Sequence, residues 1–304
     1  MRSGYFRLIA LLWPVFLALT VAGCGSDPPK KSSPPTSVER GQYIFRATGG
    51  CGCHTDTKNE GPFLAGGRSI ATPFGKFLST NITPHPTAGI GGWSEADFIK
   101  AMRHGIGPDG TRYFPVFPYP AFTRITRQDL RDLWAYLRSV PPHPRKNKPH
   151  QLGFFFRWRF GVRVWKWINF SSGEYRQDKT RSARWNRGAY LATALGHCGE
   201  CHTPRNLLGA PKSSWYFAGS EDGPDGELAA NITPHGKTGI GAWSESDLSW
   251  FLETGFKPDG DDVQGLMSEM IENGHQHLTE ADRKALWEYL KSLPPIENAL
   301  VQRE

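Results

Sequence analysis

Apolar residues recur at helical spacing in two stretches of the chain, Leu130, Leu133, Trp134 and Leu137 in one and Leu286, Tyr289, Leu290 and Leu293 in the other. Both stretches stop at a Pro-Pro pair, so each predicts a helix with one buried face and a sharp end. Four places pair a hydroxyl with a carboxylate three residues on: Ser94 with Asp97, Thr126 with Asp129, Ser244 with Asp247 and Thr279 with Asp282. That spacing resembles the capping box and predicts four helix starts. The intervening loops are rich in Gly and Pro, and no strand pattern reaches comparable strength. The expected fold class is mainly α.

These elements come in duplicate. Arg40-Gly41-Gln42-Tyr43 matches Arg187-Gly188-Ala189-Tyr190, NITPHPTAGIGGWSEAD at 81–97 matches NITPHGKTGIGAWSESD at 231–247, and LWAYLRSVPP at 133–142 matches LWEYLKSLPP at 286–295. A repeat at this period marks two copies of one domain, in keeping with a length of 304 residues. The expected organisation is 1–23 export signal, 24–36 tether, 37–142 first domain, 143–184 linker and 185–297 second domain.

The first segment has Arg2 and Arg7, an apolar run and then Val-Ala-Gly-Cys. It reads as an export signal ending in a box that resembles that of bacterial lipoproteins, with Cys24 as the lipidated residue of the mature chain. Pro14 interrupts the rival reading, an uncleaved membrane helix.

Five cysteines are present: Cys24, and two tight pairs each followed by a histidine, Cys51 and Cys53 before His54, Cys198 and Cys201 before His202. An exported chain could use the four as disulfides. The second pair, however, reads Cys-x-x-Cys-His, whose helical spacing turns both sulfurs and the imidazole to one flat ligand, the arrangement of covalent haem attachment. A redox dithiol needs no trailing histidine, and half a zinc site lacks its partner pair.

With RGxYL before the cysteines, CHTPRN at 201–206, the NITP to GIGxWS loop and the closing LxxYLxSLPP, the chain resembles the cytochrome c subunits of bacterial membrane-bound alcohol, gluconate and aldehyde dehydrogenases. The resemblance covers about residues 37–296 and implies two tandem cytochrome c domains, haem c as cofactor, and an electron-transfer role without catalytic residues. Members commonly carry three haems, and only two sites exist here. The family segment that supplies a methionine to iron matches GLMSEMIENG at 265–274, which implies Met267 as sixth ligand, with Met270 as second choice. The rival is core filling by both methionines. The resemblance also implies that Asn81, Trp93, Asn231 and Trp243 surround the two cofactors on the propionate side, against simple core packing.

The first domain departs from the pattern twice. Its counterpart of 265–270 is YFPVFPY at 113–119, where Phe117 stands in place of a methionine; Met102, His85 and His104 read as packing, loop and surface residues. Its cysteines are only two apart, so on a regular helix they diverge by about 200°. Cys53 keeps the register to His54, and a single thioether through Cys53 is expected. Gly49, Gly50 and Gly52 offer the backbone freedom by which Cys51 could join.

Residues 143–187 hold 12 Lys/Arg against two acids, whereas 188–304 hold eight against 18. Within the linker, GFFFRWRFGVRVWKWINF interleaves cations with aromatics, a composition of membrane interfaces and nucleic-acid sites. Export argues against nucleic acid. Membrane contact, docking on a dehydrogenase, and a brace across both domains that faces the acidic second domain remain open, the last favoured. The expected protein is a periplasmic, lipid-anchored dihaem cytochrome taking electrons from a dehydrogenase subunit toward a quinone or terminal oxidase. Its rivals are a peroxidase-like haem enzyme using the first site and a redox-silent structural subunit.

Overall fold

The computed structural model describes residues 34–301. The expected export signal and lipidated Cys24 lie outside the described residues. From Pro35 on, the chain is one compact unit, within which the repeat is visible as two halves.

The first half contains α1 (Ser37–Ala47), α2 (Glu95–His104), α3 (Tyr119–Phe122) and α4 (Arg127–Ser139). The linker contributes α5 (Phe160–Asn169). The second half contains α6 (Ala183–Tyr190), α7 (Glu245–Thr254), α8 (Gly265–Asn273) and α9 (Glu280–Lys291). In each half the helix before the cysteines packs on the closing helix, α1 on α4 and α6 on α9. Gly41 and Gly188 permit that approach, because a Cβ on either would collide with the carbonyl of Asp132 or of Ala285. The closing helices bury Leu130, Leu133 and Leu137 in one half and Leu286, Tyr289 and Leu290 in the other, while Trp134 stacks on Phe98 at 5.1 Å.

Ser94 and Ser244 form complete capping boxes with Asp97 and Asp247. Thr126 and Thr279 cap their helices too, but the carboxylates of Asp129 and Asp282 turn elsewhere. Tyr190 donates to Asp129 at 2.5 Å and accepts from Thr126 N–H; Tyr43 donates to Asp282 at 2.6 Å and accepts from Thr279 N–H. Each half thus completes the other's helix start. A further capping box, Thr36 with Glu39, opens α1.

The expectation of an all-loop segment after the first cysteines needs one correction. β1 (Ser69–Thr72) and β2 (Gly75–Leu78) form an antiparallel hairpin in the register Ser69 to Leu78, and β3 (Gln151–Leu152) adds to its edge. At four residues or fewer these strands leave no readable alternation. Among the described residues no helix is long and apolar enough to cross a membrane.

Candidate cofactor cavity

Counted from Arg40 and from Arg187, the first cysteine falls at the same distance in both halves, so the residue missing from the first motif lies between Cys51 and Cys53. The backbone absorbs the loss in a left-handed turn: φ is 74° at Gly49, 66° at Gly50 and 47° at Cys51. Two glycines make that turn affordable; Cys51 carries the strain of a side chain there. Cys51 and Cys53 consequently line the same cavity. The Cys51 thiol lies 3.6 Å from the Thr48 hydroxyl. In the second half α6 continues into a buried π-helical turn, Leu191–Leu195, before Gly196 and His197 lead into Cys198.

The two histidines are held alike. His54 Nδ1 lies 2.7 Å from the Thr80 carbonyl and His202 Nδ1 lies 2.7 Å from the Ala230 carbonyl. Such a bond fixes tautomer and ring orientation, and commits Nε2 as the lone-pair nitrogen. Burial lowers both pKa values, which keeps the rings neutral and able to ligate.

The residues after those carbonyls are Asn81 and Asn231. Each lines the cavity, yet each amide is spent on protein. Asn81 Nδ2 donates to the carbonyls of His143 and Arg145, Asn231 Nδ2 donates to Thr238 Oγ1 and the Ile296 carbonyl, and both Oδ1 atoms accept from the threonine two residues on. A fully buried amide must satisfy its donors and acceptor locally, so these asparagines staple the loop that presents the carbonyl to the histidine. Trp93 and Trp243 are half-buried and line the cavity.

The cavity has a volume of ≈ 1840 Å³ and runs through the unit from one motif to the other. Single ligand sites are about 300–1,000 Å³, so this space suits two large ligands. Cys53, His54, Cys198, Cys201, His202 and Met267 all line it. Burial pushes the Cys198 and Cys201 thiols up to about 12 and Cys51 up to about 11, the reverse of a nucleophilic dithiol. The four cysteines here are free thiols, and among the described residues no cluster of three metal-ligating side chains exists. The dithiol and zinc readings therefore lose their footing. A flat, apolar ligand attached through sulfur and ligated by neutral imidazole fits what the walls offer.

Phe117 lines the first site and packs on Phe122 at 5.7 Å. Met102 is buried on α2. His85 accepts from backbone N–H groups of its own loop, His104 is exposed at the end of α2, and neither lines the cavity.

Three further lining residues join the halves: Met270, already the second-choice ligand, and Arg68 and His275, which carried no sequence signal of their own. Met270 presses its thioether over Gly49, where a Cβ would collide with it, so α8 touches the first motif, and both Met270 and Met267, three residues earlier, line the cavity. Arg68, only 2% exposed, pairs with Glu269 of α8. His275 is buried near His197 and His202, with its pKa pushed down to about 4 by burial and then by those two rings. Only the three-dimensional packing of α8 on the first motif joins these positions.

A shared apolar cavity flanked by two neutral, carbonyl-oriented histidines beside free thiols places the chain in the class of c-type cytochromes, electron-transfer proteins with covalent haem. Comparison with known proteins is specific on this point. The chain is 42% identical over 296 residues to the fructose dehydrogenase cytochrome subunit of Gluconobacter japonicus, covering 95% of this chain and 60% of that one. It is 39% identical over 276 residues to a dihaem c-type cytochrome of Cereibacter sphaeroides, covering 90% and 91%. It is 37% identical over 264 residues to the gluconate 2-dehydrogenase cytochrome c subunit of Pantoea cypripedii, covering 84% and 59%. No family model matches. This chain belongs to the family of dihaem c-type cytochromes and dehydrogenase cytochrome c subunits; it spans about 60% of the length of the fructose and gluconate dehydrogenase subunits.

Proposed function

We propose that this protein is the lipid-anchored, periplasmic electron-transfer subunit of a dehydrogenase, with two haems c in tandem domains and a quinone or terminal oxidase as acceptor. The observation that carries the reading is the twin placement of His54 and His202, each oriented by a backbone carbonyl at 2.7 Å beside cavity-facing cysteines. Bound haem c supplies the one-electron couple. The chain's own residues hold and tune it: Cys198 and Cys201 attach one haem, Cys53 attaches the other, His54 and His202 ligate iron, and Met267 completes the second site. The engagement of Cys51 by Thr48 supports a single thioether at the first site. The dehydrogenase partner is supported by the names of the relatives, and the anchor by the Val-Ala-Gly-Cys box at Cys24.

Intact-mass measurement of the exported protein, with peptide mapping around Cys51, Cys53 and Cys24, tests this reading. Two haems, Cys51 unmodified and acyl mass at Cys24 are expected. One haem, at Cys198 and Cys201 alone, would reduce the first half to a scaffold. The rival reading, small-ligand chemistry at the first site, draws on Phe117 in place of a methionine; rapid turnover of peroxide by the purified dihaem protein would favour it.

A further inference from the structure

Helix α5 is inverted relative to an ordinary surface helix. At 100° per residue, Phe160, Val164, Trp167 and Ile168 share one face, and that face is exposed: Phe160 by 71% and Trp167 by 85%. The opposite face carries buried Val162, Trp165, whose Nε1 donates to the Leu208 carbonyl at 2.8 Å, and Lys166, whose ammonium reaches the His104 carbonyl and lies 4.8 Å from the centre of the Tyr119 ring. A cation therefore points inward and tryptophan points out. The bond to Leu208 brings the 207–208 loop alongside, and Leu207 is 99% exposed.

The cavity accounts for part of this exposure, since Phe160, Val164, Ile168 and Leu207 also stand on its rim. Trp167 does not line it and faces outward only. A cofactor in the cavity leaves that tryptophan uncovered. Along the chain, the charge flanking α5 is of one sign. Arg163 is exposed beside Trp167, and no acidic residue occurs between Asp132 and Glu174.

We infer that the face formed by Phe160, Trp167, Ile168 and Leu207, with Arg163 at its edge, seats the protein on an anionic lipid bilayer. Amphipathic tryptophan, aliphatic side chains and flanking cations are the composition that settles at the headgroup level, and the lack of any carboxylate in the sequence between Asp132 and Glu174, which includes all of α5, suits a negative lipid surface. Seated in this way, the wall shared by α5 and the cavity lies against the membrane, where a lipid-soluble electron carrier resides. The inference deepens the proposed function by naming a contact surface, and does not depend on an acyl chain at Cys24.

The test uses the full-length mature dihaem chain carrying Cys24→Ala, so that no acyl chain contributes, and sedimentation with vesicles of phosphatidylcholine alone or with phosphatidylglycerol, read by the haem absorbance of pellet and supernatant. Expected is partition onto the anionic vesicles, weakened by salt, and reduced roughly tenfold or more by Trp167→Ser with Ile168→Ser. Trp250→Ser, an exposed tryptophan on α7, leaves partition unchanged, and unaltered haem spectra show that all variants fold. Equal partition of parent and double variant, or none by either, overturns the inference; so does a double variant that keeps vesicle binding but no longer copurifies with a dehydrogenase, which assigns the face to protein. Acyl mass missing from Cys24 would overturn the anchor while leaving this result intact.

Discussion

The phenol of Tyr43, on the first helix of the first half, donates to Asp282 at the start of the closing helix of the second half. Its repeat counterpart Tyr190 does the same to Asp129 in the opposite direction. The two halves are thus joined by an exchange of equivalent hydrogen bonds, and Arg187 adds a bidentate pair to Asp282 at 2.8 and 2.5 Å.

Removing the Tyr190 hydroxyl takes from Asp129 the phenol it turned to, and removing that of Tyr43 leaves Asp282 with its Arg187 pair alone. Tyr43→Phe and Tyr190→Phe should each cost about 1.5–3 kcal/mol, the range for hydrogen bonds to charged groups. Urea unfolding of the holoprotein checks this, and a cost below about 0.5 kcal/mol would mean that water replaces the phenol without loss.

Acid should loosen the same joint. Burial alone would raise the Asp282 carboxyl, but the hydrogen bonds from Arg187 and Tyr43 overcome it and hold the group below the usual carboxylate range. The unfolded chain therefore takes up this proton first, so the contribution is complete above the ordinary aspartate value of about 3.9 and is lost as pH falls through the folded value. Between about pH 5 and pH 3 the urea midpoint of the parent should drop more steeply than that of Asp282→Asn; parallel profiles would remove Asp282 as a source of acid sensitivity.

Met267 and Met270 separate by experiment. Met267→Ala should lower the potential of one haem by on the order of 0.1–0.3 V, within the ~0.8 V that axial ligands span. Met270→Ala, which empties space over Gly49, should leave both potentials nearly unchanged. The opposite pattern in a spectroscopic redox titration would make Met270 the ligand.

Arg68 and Glu269 form a joint between the first half and α8. Arg68→Met should cost roughly 1.5–3 kcal/mol, because a partly buried carboxylate loses its charged hydrogen-bond partner. Adding Glu269→Met should recover much of it, and chemical denaturation of both variants decides; no recovery would mean that the arginine acts alone.

The closing helices and their caps were legible because both depend on residues within one or two turns of each other. The cysteine and histidine motifs were legible for the same reason. The Tyr43 and Tyr190 exchange was not, since the repeated Arg-Gly-x-Tyr lead carries no mark of which closing helix it meets. Asn81 and Asn231 do line the cavity, but their hydrogen bonds to His143, Arg145, Thr238 and Ile296 were not legible, because those partners are either far along the chain or carried by a loop with no pattern of its own. The left-handed turn at Gly49, Gly50 and Cys51 was half legible: the glycines showed that the chain could bend, but only the packing of α8 on it showed which way.

The cavity that joins the two motifs has a further consequence for the interior. Leu133, Leu137, Ile240, Leu248, Leu286 and Leu290 are buried in the core and also face the cavity, so one set of side chains serves as both the filling of the two halves and the wall of the site. A substitution that trims any of them changes helix packing and the shape of the shared space together, and the two halves have no separate interiors that could drift apart.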